Sequence, residues 1–88
     1  MYNAIIDKKL DKVFDKLSKR NPVAFMQLEK KIAEILENPD HYKPLRGEMK
    51  NKRRVHVGSF VLIFEINEEE KSVIFLEFAH HNEAYLQG

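Results

Sequence analysis

Apolar residues recur at helical spacing over the first part of the chain and at alternate positions over its second half. Leu10, Val13, Phe14 and Leu17 fall on one stripe of a helix, with charged or polar residues between them. Asp7 stands where an N-cap carboxylate would accept a free N–H, and Tyr2 to Ile6 before it leaves room for a short N-terminal strand. Asn21-Pro22 reads as a second N-cap followed by proline at the first helical position, where a missing N–H costs nothing. The next helix carries Phe25, Leu28, Ile32, Ile35 and Leu36 on one side. Asn38-Pro39 ends it, because the residue before proline is driven out of the helical region. Two amphipathic helices joined by about four residues predict an antiparallel hairpin.

Beyond Gly47 the period falls from 3.6 to 2, with Val55 and Val57 on one face and Arg54 and His56 on the other. Gly58-Ser59 is a turn signal, and Phe60 to Ile66 is a β-branched and aromatic run suited to a central strand. Asn67 to Ser72 reads as a charged hairpin loop and Val73 to Ala79 as the last strand of a meander. Helices followed by antiparallel strands predict an α+β domain, with the helical hairpin packed on one face of a small antiparallel sheet. If Phe60, Leu62, Phe64 and Ile66 face the helices, Val61 and Ile63 are expected on the open face with no cover. An exposed apolar patch rimmed by charge marks an interaction surface.

Composition narrows the function classes. At 88 residues the chain is read as one domain spanning 1–88. The absence of Cys removes disulfides, thiolate nucleophiles and Cys-based metal sites. The longest apolar run, Phe60 to Phe64, is five residues, against the roughly 20 needed to span a bilayer. Ala4 to Ile6 runs at once into Asp7-Lys8-Lys9, so no signal-peptide core is seen and a cytoplasmic protein with no membrane partner is expected. Only three Gly occur, in no phosphate-cradling pattern, and no cofactor is expected.

The formal net charge of +1 conceals a local excess. Between Lys43 and Arg54 six cations face the single acid Glu48, a balance of +5, and the remainder, nine cations against thirteen acids, carries −4. A cationic segment on an otherwise acidic body suits a nucleic-acid backbone; the alternative is a solvated strand edge. His56 alternates with Arg54, and His80-His81 closes the last strand shortly before Tyr85. These two strands flank the central one, so the three histidines and Arg54 can converge at one end. Imidazoles that exchange protons near neutrality, beside cations that hold phosphate, supply general acid–base chemistry on RNA. No role is assigned to His41. His56, His80 and His81 lack a carboxylate at helical or hairpin spacing to complete a zinc site, and no metal is expected.

The series Pro44-Leu45-Arg46-Gly47, Arg54-Val55-His56-Val57-Gly58-Ser59-Phe60, Phe64-Glu65-Ile66 and His80-His81-Asn82-Glu83-Ala84-Tyr85 resembles the RelE/ParE superfamily of bacterial and archaeal type II toxins. The likeness runs over nearly the whole chain. It implies a ribosome-dependent endoribonuclease that cuts messenger RNA by attack of a 2′-hydroxyl on the adjacent phosphate, without metal. The implied partners are the ribosome, mRNA and a cognate antitoxin that wraps the domain in a hetero-oligomer, with acidic residues set against Lys50 to Arg54. Carried over by position, Arg46 matches the family's turn cation, Arg54 its first strand arginine and Tyr85 its terminal tyrosine. Arg54, His56, His81 and Tyr85 are the implied catalytic set, and Arg46, Lys50, Lys52 and Arg53 the implied RNA-binding set. Three positions depart from the pattern: His56 and His81 stand where arginine is usual, and Val61 replaces an arginine that would clamp phosphate. The departures leave a His-based ribonuclease beside two alternatives, a ParE-like toxin that binds DNA gyrase and an RNA-binding module that has lost cleavage.

Overall fold

The computed structural model describes residues 1–47 and 51–82. Strand β1 (Asn3–Ile6) is followed by helices α1 (Lys8–Arg20) and α2 (Pro22–Glu37), a 3₁₀ turn (Pro39–His41), and strands β2 (Lys52–Val57), β3 (Phe60–Asn67) and β4 (Ser72–His80). Both helix starts follow from the side chains that precede them. Asp7 Oδ1 accepts the Leu10 N–H at 2.7 Å, and Asn21 Oδ1 accepts that of Ala24 at 3.2 Å. Asn21 also closes α1, its own N–H donating to the Leu17 carbonyl at 2.8 Å. One residue therefore joins the helices, where a linker of about four was expected. Asn38 ends α2 by donating to the Glu34 carbonyl, and Pro39 is buried in the 3₁₀ turn that follows.

The sheet order is β1-β4-β3-β2. β2, β3 and β4 form the expected antiparallel meander, but β1 lies parallel to β4, Asn3 opposite Ser72 and Ile6 opposite Phe75, so the sheet is mixed. The helices cover one face. Their Leu10, Phe14, Leu28 and Ile35 pack with Leu62 and Phe64 of β3 and with Val73, Phe75 and Phe78 of β4. Phe78 is held edge-on by Phe14, with centroids 5.7 Å apart, and stacks on Phe60 at 4.8 Å.

Strict alternation along β4 would carry Glu77 to the helix side with Val73 and Phe75. A β-bulge prevents this. Phe64 faces Phe75 and Ile63 faces Glu77, so Leu76 is the extra residue, and Phe78 rather than Glu77 enters the core. The bulge therefore delivers a carboxylate to the open face. That face carries three rows across β2, β3 and β4: Lys52–Glu65–Ile74, Arg54–Ile63–Glu77 and His56–Val61–Ala79.

Val61 and Ile63 are not the exposed patch anticipated, being 1% and 8% exposed. Each sits in the central strand with a paired residue on either side, and Ile63 lines a groove with Leu10 and Val13 of α1. No helix among the described residues is long and apolar enough to cross a membrane.

Candidate nucleic-acid interface

The predicted residues on β2 separate by face. Lys52, Arg54 and His56 alternate onto the open face, with Arg54 and His56 exposed and Lys52 half-buried opposite Glu65. Arg53 points the other way. Its Nε–H donates to the Tyr42 carbonyl at 2.8 Å, and its Nη2 lies 3.7 Å from Asp40 Oδ1, leaving the side chain 18% exposed. The guanidinium thus fastens the 3₁₀ turn to β2, and Tyr42 packs edge-on against Phe64 at 5.8 Å. Strand alternation thus sets Arg53 on the side away from Arg54, apart from the other cations expected to bind RNA.

Arg46 is exposed beside Gly47, whose φ of +69° marks a backbone that favours glycine. Leu45 donates to the Lys52 carbonyl at 2.7 Å and Pro44 bridges Arg53, so Arg46 stands near the start of β2. Lys50 and Tyr85 lie outside the described residues.

His81 is held by one backbone oxygen. The Ser59 carbonyl accepts the His81 N–H at 3.0 Å and lies 3.2 Å from the ring Nδ1. A carbonyl only accepts, so this contact selects the Nδ1–H tautomer and leaves Nε2 of the neutral ring with its lone pair. Ser59 belongs to the turn between β2 and β3, where Gly58 has a φ of +59°. His56, paired with Val61, borders the same turn, which brings His56 and His81 to one end of the sheet with Arg54 one row further along. The His80 and His81 rings lie together at the end of β4, their centroids 4.6 Å apart. His80 lies in register with Phe60, edge-on to that ring at 5.9 Å, on the helix side. Among the described residues no three His, Cys, Asp or Glu side chains come together to hold a metal ion.

The model of the family described as "ParE toxin of type II toxin-antitoxin system, parDE" matches residues 4–85. The chain belongs to the RelE/ParE superfamily of type II toxins. The toxin is 45% identical over 86 residues to a Methanocaldococcus jannaschii protein that bears the name RelE4, an alignment covering 97% of this chain and 92% of that one. Its fold matches the isolated E. coli RelE toxin with a TM-score of 0.77 at 24% identity, over 99% and 98% of the two chains. It also matches a chain of the intact E. coli RelBE toxin–antitoxin complex with a TM-score of 0.77 at 25% identity, over 91% and 96%.

Two carboxylates that the sequence reading did not single out complete the toxin's open face. Glu65 lies opposite Lys52, and Glu77 lies across Ile63 from Arg54. Both line a groove of about 670 Å³ that also takes in Lys52 and, from α1, Lys9. The face therefore grades from cationic on β2 to acidic on β3 and β4, so a phosphodiester is favoured over β2 and repelled from the groove floor. Alternation within Phe64-Glu65-Ile66 could have revealed Glu65, whereas Glu77 depends on the bulge.

Proposed function

We propose that the toxin is an endoribonuclease that cleaves message on the ribosome, with Arg54, His56 and His81 at the reacting phosphate and Tyr85 completing the set. The observation that supports the reading is the exposure of Arg54 and His56 on one face of β2, beside a turn whose Ser59 carbonyl holds the His81 ring. In the reaction one imidazole takes the proton of a 2′-hydroxyl, and that oxygen forms a bond to the adjacent phosphorus. The P–O5′ bond breaks, the departing oxygen takes a proton from the other imidazole, and a 2′,3′-cyclic phosphate remains. The guanidinium of Arg54 stabilises charge on the phosphoryl oxygens as the fifth bond forms. His81, whose Nε2 keeps its lone pair when Nδ1–H is donated to Ser59, suits proton transfer, and Lys52 and Arg46 hold the flanking backbone. Arg53 is left out because it stands on the face of β2 away from Arg54 and His56.

An antitoxin is the second proposed partner, in keeping with the toxin–antitoxin complexes among the structural relatives. Its apolar contacts fall elsewhere than first expected. Among the described residues a mostly apolar groove of about 320 Å³ lies between the helices and β1, lined by Ile6, Phe25, Ile32 and Leu36 over the buried Phe14 and Leu28.

The test is primer extension on a defined message in a purified translation system. Cleavage within the ribosome-bound codon is expected from the wild type, and a loss of about 100-fold or more from Arg54→Ala or His81→Ala in folded protein. Intact message with wild-type toxin would sink the ribonuclease reading, and inhibition of gyrase supercoiling in its place would move the toxin to the ParE-like alternative.

A further inference from the structure

The acidic remainder inferred from composition is not uniform. Helix α1 holds six cations, Lys8, Lys9, Lys12, Lys16, Lys19 and Arg20, against Asp11 and Asp15, a local balance of +4. At 100° per residue all six fall within an arc of about 120°. The buried Leu10 and Phe14 lie on the far side, and the two aspartates occupy a separate strip. All six cations are exposed. The ion pair seen along this arc joins Lys19 to Asp15 at 3.2 Å, with side chains 75% and 65% exposed. A pair so exposed contributes little and yields readily to another anion.

Segregation of this kind works against the helix. Lys8 and Lys12, Lys12 and Lys16, and Lys16 and Arg20 are like-charged neighbours at i,i+4, each unfavourable by about 0.2–0.5 kcal/mol. A merely solvated face would do better with the signs interleaved. At one end the arc reaches the open face of the sheet, where Lys9 and Lys52 line the same groove of about 670 Å³; at the other, Lys16 and Arg20 line a second groove of about 290 Å³ with His80. The apolar groove offered to the antitoxin lies on the opposite flank of α1, the Phe14 side.

We propose that the cationic arc of α1 is a second RNA-binding surface, one that grips the phosphate backbone of a folded, double-helical RNA irrespective of its sequence. This rests on the RNA-directed reading above and assigns it a contact separate from the reacting phosphate. Four cations spaced about 6 Å apart along the helix axis follow a row of phosphates. A lipid surface is a poor fit, since an interfacial helix inserts its apolar face and that of α1 is spent on the core.

The experiment is fluorescence anisotropy with a labelled blunt-ended RNA duplex, titrated with full-length toxin at several KCl concentrations from 50 to 200 mM. The triple variant Lys12→Gln/Lys16→Gln/Lys19→Gln is compared with wild type and with Asp11→Asn. Binding by the wild type is expected, with the log–log salt slope of the triple variant shallower by about 2–3. Asp11→Asn is expected to bind at least as tightly as wild type. These are exposed positions, and thermal melts serve to show that the triple variant is folded. No duplex binding by wild type at 50 mM KCl, or an unchanged slope in the triple variant, overturns the proposal. So does loss of binding to anionic vesicles with duplex binding intact. Failure of the cleavage reading is registered separately, as uncut message in the primer-extension assay.

Discussion

Replacing Arg53 with alanine separates a structural cation from its binding neighbours. The substitution removes the Nε–H donated to the Tyr42 carbonyl at 2.8 Å and the approach of Nη2 to Asp40 at 3.7 Å. A hydrogen bond from a charged donor contributes about 1.5–3 kcal/mol, and the carbonyl it leaves behind is partly buried. The ion pair adds at most about 1 kcal/mol, because Asp40 is 61% exposed. The expected loss is therefore about 2–3 kcal/mol, mostly from the carbonyl contact. In a domain of this size that corresponds to a fall in Tm of about 10–20 °C, or a urea midpoint lower by about 1–2 M. Asp40→Asn should cost less than about 1 kcal/mol. Arg53→Lys should recover little, since an ammonium cannot reproduce the planar Nε–H contact. The measurement is urea unfolding followed by circular dichroism, beside RNA affinity under native conditions. An Arg53→Ala protein within about 0.5 kcal/mol of wild type that had lost RNA affinity would refute this account and return Arg53 to the binding set.

Restoring the family arginine by Val61→Arg should not rescue activity: the position is 1% exposed, and a buried, unpaired cation should destabilise the domain by about 3 kcal/mol or more in urea unfolding. Ser72 is 3% exposed and its Oγ has no hydrogen-bond partner among the described residues; Ser72→Ala should leave stability unchanged or raise it by up to about 1 kcal/mol, and a clear loss in urea unfolding would contradict this. Tyr2 donates its hydroxyl to Glu68 at 2.9 Å, and Lys71 lies 3.4 Å from the same oxygen. The Tyr2 hydrogen bond, ahead of Lys71, holds the Glu68 carboxyl below its usual range, while bonding to Glu68 raises both Tyr2 and Lys71. The glutamate contribution is present above the ordinary carboxylate range and lost as pH falls through its lowered value; those of Tyr2 and Lys71 are present below their ordinary ranges and lost as pH rises through the raised ones. The stability difference between wild type and Tyr2→Phe should thus be greatest at neutral pH and shrink toward both extremes, and a difference flat with pH would contradict it.

What the sequence disclosed was mostly local chemistry. Asp7, Asn21 and Asn38-Pro39 act within one helical turn of themselves, and all three mark boundaries where the structure has them. The strands of the meander were legible because their apolar period differs from that of the helices. β1's parallel pairing with β4 was not, since it joins segments from opposite ends of the chain through no local signal. The same holds for the bulge at Leu76, whose one extra residue reverses the faces assigned by alternation beyond it. At the site, alternation already separated Arg53 from Arg54, and that signal was outweighed by the count of adjacent cations. The burial of Val61 and Ile63 depends on tertiary neighbours, which the pattern of a single strand cannot reveal. The arc on α1 was within reach of the helical period, but counting charge by segment concealed it.

The pairing of β1 with β4 also bears on when the toxin becomes dangerous. While the ribosome has yet to add residues 72–81, β1 has no strand to lie against and β3 has a neighbour on one side only. Ser59 likewise waits for His81. Contacts between such distant segments form late and cannot be rehearsed by an N-terminal fragment. The helical hairpin, whose contacts are near in sequence, can form well before them, and with it part of the apolar groove offered to an antitoxin. A nascent chain therefore presents part of the groove proposed for an antitoxin before its proposed site is assembled. An antitoxin already in the cell has the time of synthesis in which to engage it.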